Sequence, residues 1–363
     1  MSAPSPGFAR PPEGVQENSG VARRFLMSPP DDSIPMKPAP TCHAWLSDQP
    51  GLANMALVEH VLPLVGAGEL LVQVACAALN FSDLLMLNDS YQVRPPRPFV
   101  PGQEISGTVV DAAPETGFRA GDRVAGKVLW GGFSSHASMR ADMAIRIPPG
   151  VDFDTAAALP VAYTTAAVAL TECMSLKPDE TVLVLAGAGG VGLAAVDVAR
   201  ACGARVLAAV GGPAKVQLAM QHGAHAAVDY NEPSWLDQVR AFDPRGGVDV
   251  IVDPVGGALA RDALRCLGWM GRYLIVGFAS GEIPQIPANR LLLKRASAIG
   301  VYWNHDRDGP MLRVVSERIT GWLADGVIRP HVGARFTLAQ APEAIAALQS
   351  RATTGKVILM VAP

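Results

Sequence analysis

The sequence predicts an α/β fold in two parts, a β-rich segment followed by a doubly wound parallel sheet, and three observations carry that reading. Between Leu57 and Pro148, short β-branched and apolar runs are separated by turn residues, the pattern of a small barrel or sandwich. From Thr181 onward, apolar strands alternate with helical stretches, which is how a parallel sheet with crossover helices is written. The first of these strands runs straight into a cluster of glycines and then a helix.

Residues 1–35 carry seven prolines among small and polar residues, a composition that cannot repay the entropy of folding, so a disordered tail is expected there. No apolar h-region marks a secretory signal. The β-rich segment is expected to place strands at Glu69 to Val74, Gly107 to Val110, Arg123 to Val128 and Ser138 to Ile147. After Pro148-Pro149-Gly150, a helical stretch spans Thr155 to Cys173. The parallel sheet then uses Thr181 to Leu185, Arg205 to Val210, Ala226 to Val228, Val248 to Asp253, Arg272 to Phe278 and Ala298 to Tyr302. Helices at Leu312 to Asp325 and Ala341 to Ser350, and a strand from Lys356 to Val361, complete the chain.

Composition narrows the function. With 30 Lys plus Arg against 33 Asp plus Glu, the net charge of -3 leaves no cationic surplus for nucleic-acid backbones. No apolar stretch reaches the roughly 18 residues that span a bilayer, so no membrane partner is expected. The five cysteines are scattered, with no Cys-x-x-Cys pair, which suits reduced thiols and a cytoplasmic location.

The strongest motif is Thr181–Leu185 followed by Ala186-Gly187-Ala188-Gly189-Gly190-Val191-Gly192 and a helix from Leu193. Strand before and helix after are the context that a dinucleotide fingerprint requires. Gly187 is expected to form the tight turn, Gly189 to admit the pyrophosphate and Gly192 to let helix and strand pack closely, with the helix N-terminus facing the phosphates. The next strand ends Val210-Gly211-Gly212-Pro213-Ala214-Lys215 with no carboxylate to hold a ribose 2′-hydroxyl. Lys215 is either a cation for a 2′-phosphate or an ordinary exposed helix residue; the missing carboxylate points to NADP.

Several further segments have no such local explanation but occur in a familiar order: Asn80-Phe81-Ser82-Asp83, Pro101–Gly107, Gly121–Val124, Asp229-Tyr230, Asp253–Gly257 and Ser350–Gly355. Together with the glycine loop they make the chain, from about Met36 on, resemble the zinc-free branch of the medium-chain dehydrogenase/reductases, the NADPH:quinone oxidoreductases that include zeta-crystallin. The resemblance implies a GroES-like catalytic domain at 36–157, a Rossmann NADP-binding domain at 158–302 and a return to the catalytic domain at 303–363. In the zinc alcohol dehydrogenase branch a cysteine and a histidine stand where this chain has Asn80 and Gln103, both poor zinc ligands. A metal-assisted alcohol oxidation therefore lacks its Lewis acid.

The chemistry implied is hydride transfer from NADPH to a quinone or another activated α,β-unsaturated carbonyl. By resemblance, Asn80, Asp83 and Tyr91 are the catalytic residues of the cleft: Asn80 and Tyr91 as donors, Asp83 as an orienting group or simply a helix cap. Resemblance also assigns Tyr230 to the adenosine phosphate, and Gly355 and Lys356 to a segment closing over the cofactor. Gly211, Gly256, Gly277 and Phe278 fall at C-terminal ends of parallel strands, where such sheets bind ligands. Trp303, Asn304 and His305 are candidates for the substrate wall. Two other readings stay open: an enoyl thioester reductase, whose relatives share the Asn, Asp and Tyr spacing, and an NADPH-binding protein with little turnover. The resemblance also implies a homodimer, with the apolar edge at Ser297 to Tyr302 as the pairing strand.

Overall fold

The computed structural model describes residues 40–361. The expected tail lies outside those residues. The chain opens with an antiparallel hairpin of β1 (Thr41–Ser47) and β2 (Met55–Val61), which precedes the first strand expected from the sequence. Next come β3 (Glu69–Ala78), the short helix α1 (Phe81–Leu87), β4 (Glu104–Ala112), β5 (Arg123–Lys127), β6 (His136–Arg140) and β7 (Ala144–Arg146). The single strand expected over Ser138 to Ile147 is thus two strands with a tight turn between them. β6 pairs with β3 and β7 with β5, so the chain turns a corner of the β-layer there. The helix expected over Thr155 to Cys173 is likewise divided, into α2 (Phe153–Ala157) and α3 (Ala162–Ala167) with a π-helical extension over Val168–Glu172. Pro160 accounts for the break, since it lacks an N–H and disfavours a helical residue before it.

The parallel layer alternates β8 (Thr181–Leu185), α4 (Gly190–Ala201), β9 (Arg205–Val210), α5 (Pro213–Gln221), β10 (Ala226–Asp229), α6 (Trp235–Phe242) and β11 (Val248–Asp253). It continues with α7 (Gly257–Ala263), β12 (Leu267–Ile275), α8 (Ala288–Lys294) and β13 (Ser297–Gly300). The sheet order β10-β9-β8-β11-β12-β13, all parallel, is that of a doubly wound dinucleotide fold. Its central strands β8, β9 and β11 are mostly apolar because both their faces are covered, whereas β13 at the edge is largely exposed. Val182 and Val184 of β8 feed one core, while Leu183 and Leu185 feed another on the opposite face. β12 starts earlier than expected because Gly268 to Gly271 form a bulge, with Met270 at φ 58°, and it stops at Ile275 where the next N–H groups turn to the Asp253 carbonyl.

The long helix α9 (His305–Ala324) departs from the expected return at residue 303. Its Leu312, Val315 and Ile319 are buried in the core of the parallel sheet. The chain rejoins the β-layer only with β14 (Val332–Thr337), α10 (Ala341–Gln349) and β15 (Lys356–Met360). β15 pairs antiparallel with β3, completing the sheet order β14-β15-β3-β4-β5-β7. Among the described residues no helix is long and apolar enough to cross a membrane.

Candidate active site

A cleft of about 710 Å³ lies between the two layers, over the glycine loop and the switch point of the parallel sheet where β8 and β11 diverge. On its parallel-sheet side are Gly189, Gly190, Val191, Gly192, Gly211, Lys215, Tyr230, Gly277 and Phe278. From the β-layer side come Asn80, Tyr91, Gly355 and Lys356. These expected residues are therefore brought to one cavity.

The glycine loop is tighter than its spacing suggested. A Cβ on Gly192 would stand 2.1 Å from the Ala186 carbonyl oxygen, so only glycine lets α4 seat on the loop. The residue with positive φ is Ala186, at 49°, not Gly187. Gly187 does not line the cleft either; it faces Ala208, whose Cβ would lie 2.7 Å from an added methyl group, and so serves packing of β8 on β9. Gly256 is also absent from the cleft. It holds φ 74° at the start of α7, with its N–H donated to Asp253, while its neighbours Pro254 and Val255 form the wall.

At the far end of β9, Lys215 donates to the Arg351 carbonyl at 2.8 Å and Tyr230 closes over Gly211, where a Cβ would meet its hydroxyl at 2.8 Å. Arg351 is not among the residues expected from the sequence, although it sits within the Ser350–Gly355 segment. It adopts a left-handed backbone, φ 58°, and its guanidinium reaches the Ala279 carbonyl across the cleft. Burial lowers the Lys215 pKa, and Arg351 opposes the burial that raises Tyr230. Two cations and a phenol around an open glycine turn fit a phosphate monoester.

The β-layer end is organised by strand register. β15 pairs with β3 so that Ile358 faces Ala78, and β4 pairs with β3 so that Ala77 faces Ile105. Lys356, Asn80 and Glu104 consequently converge at one end of three adjacent strands. The Lys356 ammonium donates to the Leu79 carbonyl (2.8 Å), Asn80 Oδ1 (2.7 Å) and Glu104 Oε2 (2.7 Å). Asn80 Nδ2 donates to Glu104 at 3.0 Å, and the Val161 N–H donates to the other Glu104 oxygen at 2.6 Å. Lys356 is thus not directed at a phosphate: its stem lies against Gly190 and its charge is committed to Asn80 and Glu104. Gly355 donates to the Ala188 carbonyl at 2.8 Å, tying the same segment to the glycine loop.

Asp83 requires a correction. It is buried, does not line the cleft, and accepts the Asn80 N–H at 2.8 Å, so it orients Asn80 from behind as residue N3 of α1. Among the described residues its Oδ1 has no hydrogen-bond partner. Burial raises its pKa to about 7, against the opposing pull of the Asn80 N–H and the Lys356 ammonium. A carboxyl whose folded pKa exceeds its unfolded value of about 4 stabilises the protein below that lower value and ceases to do so as pH rises through 7. We therefore expect wild type to lose stability relative to Asp83→Asn between pH 5 and pH 8, read from urea midpoints; parallel profiles would contradict it.

Trp303, Asn304 and His305 do not line the cleft. Trp303 is buried, donates to Thr165 Oγ1 at 3.1 Å and carries the Lys127 ammonium over its ring at 4.4 Å. The wall is made instead by Gly300, Val301 and Tyr302, one to three residues earlier. Gln103 is buried beside Ser82, whose hydroxyl donates to its carbonyl oxygen. Among the described residues, no group of three His, Cys, Asp or Glu side chains is placed to hold a metal ion.

Two family descriptions match the chain: an alcohol dehydrogenase GroES-like domain over residues 66–149 and a zinc-binding dehydrogenase over residues 190–317. Quinone oxidoreductase-like protein 2 of Rattus norvegicus is 39% identical over 307 residues, covering 83% of this chain and 88% of its own. Quinone oxidoreductase of Sus scrofa is 30% identical over 305 residues, covering 82% and 91%. Among solved structures, the Escherichia coli quinone oxidoreductase complexed with NADPH superposes with a TM-score of 0.81 at 28% identity, covering 88% of this chain and 99% of its own. Quinone oxidoreductase from Thermus thermophilus, also solved as its complex with NADPH, gives 0.77 at 33% identity, covering 88% and 100%.

Proposed function

The chain belongs to the quinone oxidoreductase group of the medium-chain dehydrogenase/reductases, and from that premise we propose an NADPH-dependent reductase of quinones and other activated α,β-unsaturated carbonyls, working without a catalytic metal. The observation that carries the proposal is the Lys356 ammonium bound to Asn80 and Glu104 at the β-layer end of the cleft. A lysine engaged with the amide oxygen of Asn80 and with Glu104 supplies fixed positive charge and leaves those oxygens poorly available as metal ligands. Gln103 is similarly engaged by Ser82.

The cradle fits NADPH: the glycine loop admits a pyrophosphate, and Lys215, Arg351 and Tyr230 surround the position for a 2′-phosphate. When bound, NADPH supplies hydride to an electron-poor acceptor. The chain's own residues hold the acceptor and manage its charge. Asn80 has one amide hydrogen on Glu104 and only a long 3.5 Å contact to the Ala78 carbonyl for the other, which leaves that donor for an oxyanion. Tyr91 lines the same cleft; burial, with the nearby Tyr302 and Asp83, raises its pKa, so it remains a protonated donor at neutral pH. Much of the remaining lining is apolar, including Leu79, Phe81, Leu85, Val276 and Phe278, with Ser82, Gln92 and Thr165 among it.

NADPH oxidation is measured at 340 nm with 1,4-benzoquinone, an enone and crotonyl-CoA in parallel, with NADH as the control donor. Turnover on the quinone with NADPH preferred is expected. Turnover on crotonyl-CoA alone assigns enoyl thioester chemistry, and NADPH binding without turnover on any acceptor assigns a binding protein. Lys215→Ala and Arg351→Ala are each expected to weaken NADPH by about 10- to 100-fold while leaving NADH unchanged, since a charge-assisted hydrogen bond to phosphate contributes about 1.5–3 kcal/mol. Equal losses for both cofactors would place the residues elsewhere.

The same reading includes a homodimer. β13 is the open edge of the parallel sheet, and beside it Leu292 and Leu293 of α8 are largely exposed. Light scattering is expected to give twice the chain mass, and a monomer at micromolar concentration removes the dimer from the proposal.

A further inference from the structure

The largest aromatic surface left open at the cleft is that of Tyr302, which is 72% exposed. Burying a ring of this size is favourable; the exposure is that of the single chain, and what ties the ring to the site is its place in the cleft lining two residues beyond the β13 edge. Its exposure is not that of a loose loop. The preceding Val301 N–H is bonded to the Ile275 carbonyl at 2.9 Å, and the following Trp303 is buried and bonded to Thr165. The backbone of Tyr302 is therefore tied on both sides and the ring is presented from a fixed base.

Tyr91 contributes the second phenol. It is half-buried and packs against the β-layer core, so its ring is held by the opposite side of the cleft. The Tyr302 phenol is close enough to be one of the causes that raise the Tyr91 pKa, which agrees with the two rings sharing one end of the cavity. Phe278, three residues beyond β12, adds a further aromatic to the lining. An acceptor entering between Tyr91 and Tyr302 meets two phenols, with Asn80 and the committed Lys356 ammonium at the β-layer end of the same cleft. Such a lining favours flat, electron-poor rings over short acyclic carbonyls, because a planar π-system can stack while an acyclic chain offers little face.

We infer that Tyr302 is a specificity-determining residue of this site, an aromatic wall that together with Tyr91 selects planar bicyclic quinones over small acyclic enones. The inference rests on the proposed reductase function for its biological meaning, but it concerns binding and is tested by binding.

The test measures the affinity of 2-methyl-1,4-naphthoquinone for the NADP⁺-loaded protein by calorimetry, in wild type and in Tyr302→Ala, Tyr302→Leu and Tyr302→Phe. Loss of one aromatic contact is expected to weaken the naphthoquinone by about 3- to 10-fold in the alanine and leucine variants, with phenylalanine close to wild type. The dissociation constant of NADP⁺ is expected to stay unchanged in all three, while the KM for methyl vinyl ketone, where that enone is turned over, rises less than the naphthoquinone dissociation constant. A leucine variant that binds as wild type would overturn the aromatic role. So would an equal loss of NADP⁺ affinity, or a change of mass in light scattering accompanying the loss, because either shows an effect on the fold or the assembly. A wild type that turns over no quinone but loses naphthoquinone affinity on Tyr302→Ala sinks the reductase function and leaves this inference standing. A wild type that reduces quinones while the variants bind them equally well sinks the inference alone, and a wild type that binds no naphthoquinone sinks it as well.

Discussion

Lys356→Met is expected to lower the free energy of unfolding by about 3–5 kcal/mol, the range seen when one partner of a buried ion pair is removed. The side chains of Lys356 and Glu104 are 5% and 0% exposed, and the ammonium makes three hydrogen bonds at 2.7–2.8 Å. Methionine keeps most of the stem that lies against Gly190 but leaves the Glu104 carboxylate with only the Asn80 amide and the Val161 N–H. The uncompensated charge, not lost packing, dominates the effect. Adding Glu104→Gln is therefore expected to recover much of the loss, since it removes the stranded charge. Urea denaturation of the single and double variants measures both quantities. A single-variant loss below about 1 kcal/mol, the range of an exposed pair, would show that the pair is not sealed from water. Because Asn80 loses the group that fixes its amide oxygen, the double variant is expected to regain stability without regaining full reductase activity, which separates positioning from folding.

Gly192→Ala is expected to abolish tight dinucleotide binding, with at least a roughly tenfold rise in the NADPH dissociation constant and a loss of about 1–3 kcal/mol in stability, as overpacking in a rigid site costs. The added methyl group would lie 2.1 Å from the Ala186 carbonyl oxygen and 2.8 Å from Gly187 Cα, both backbone atoms that cannot rotate away. Relief requires α4 to move off the loop, which displaces the N–H groups that face the phosphates. Gly189→Ala is the internal comparison. Its nearest neighbour would be the Ala186 oxygen at 3.3 Å, so the fold should tolerate it far better. Thermal unfolding of the two variants gives the contrast in packing, and fluorescence titration with NADPH reads the binding loss of Gly192→Ala. Equal thermal stability would mean that the added methyl group does not disturb the seating of α4 on the loop.

The legible features are those written in short stretches of chain. Five apolar residues, a glycine turn and a helix lie within Thr181–Ala201, so the strand, the loop and α4 appear where the local pattern puts them. The central strands of the parallel sheet are similarly visible, because burial on both faces makes them mostly apolar. Where local pattern misled, a specific competitor prevailed: Pro160 divided a helix, a glycine bulge moved β12 toward its N-terminal side, and the corner after Arg140 divided a strand between two partners. The same holds within the site. The left-handed turn fell to Ala186 while Gly187 packs against Ala208, and Asp83, assigned to the cleft by resemblance with a helix cap as the other reading, lies inward as the partner of the Asn80 N–H.

By itself, the sequence determined the fold class, the family resemblance, the glycine cradle and the absence of a carboxylate after β9, because each depends on neighbours a few residues apart. The tertiary structure alone decided that Lys356 meets Glu104 across 252 positions, that Arg351 lies under Lys215, and that Tyr302 rather than Trp303 reaches the cleft. Such contacts follow from strand register and from the packing of one layer on another. A shift of one residue in register turns a side chain to the opposite face, so side-chain chemistry read along the chain cannot name partners that only pairing brings together.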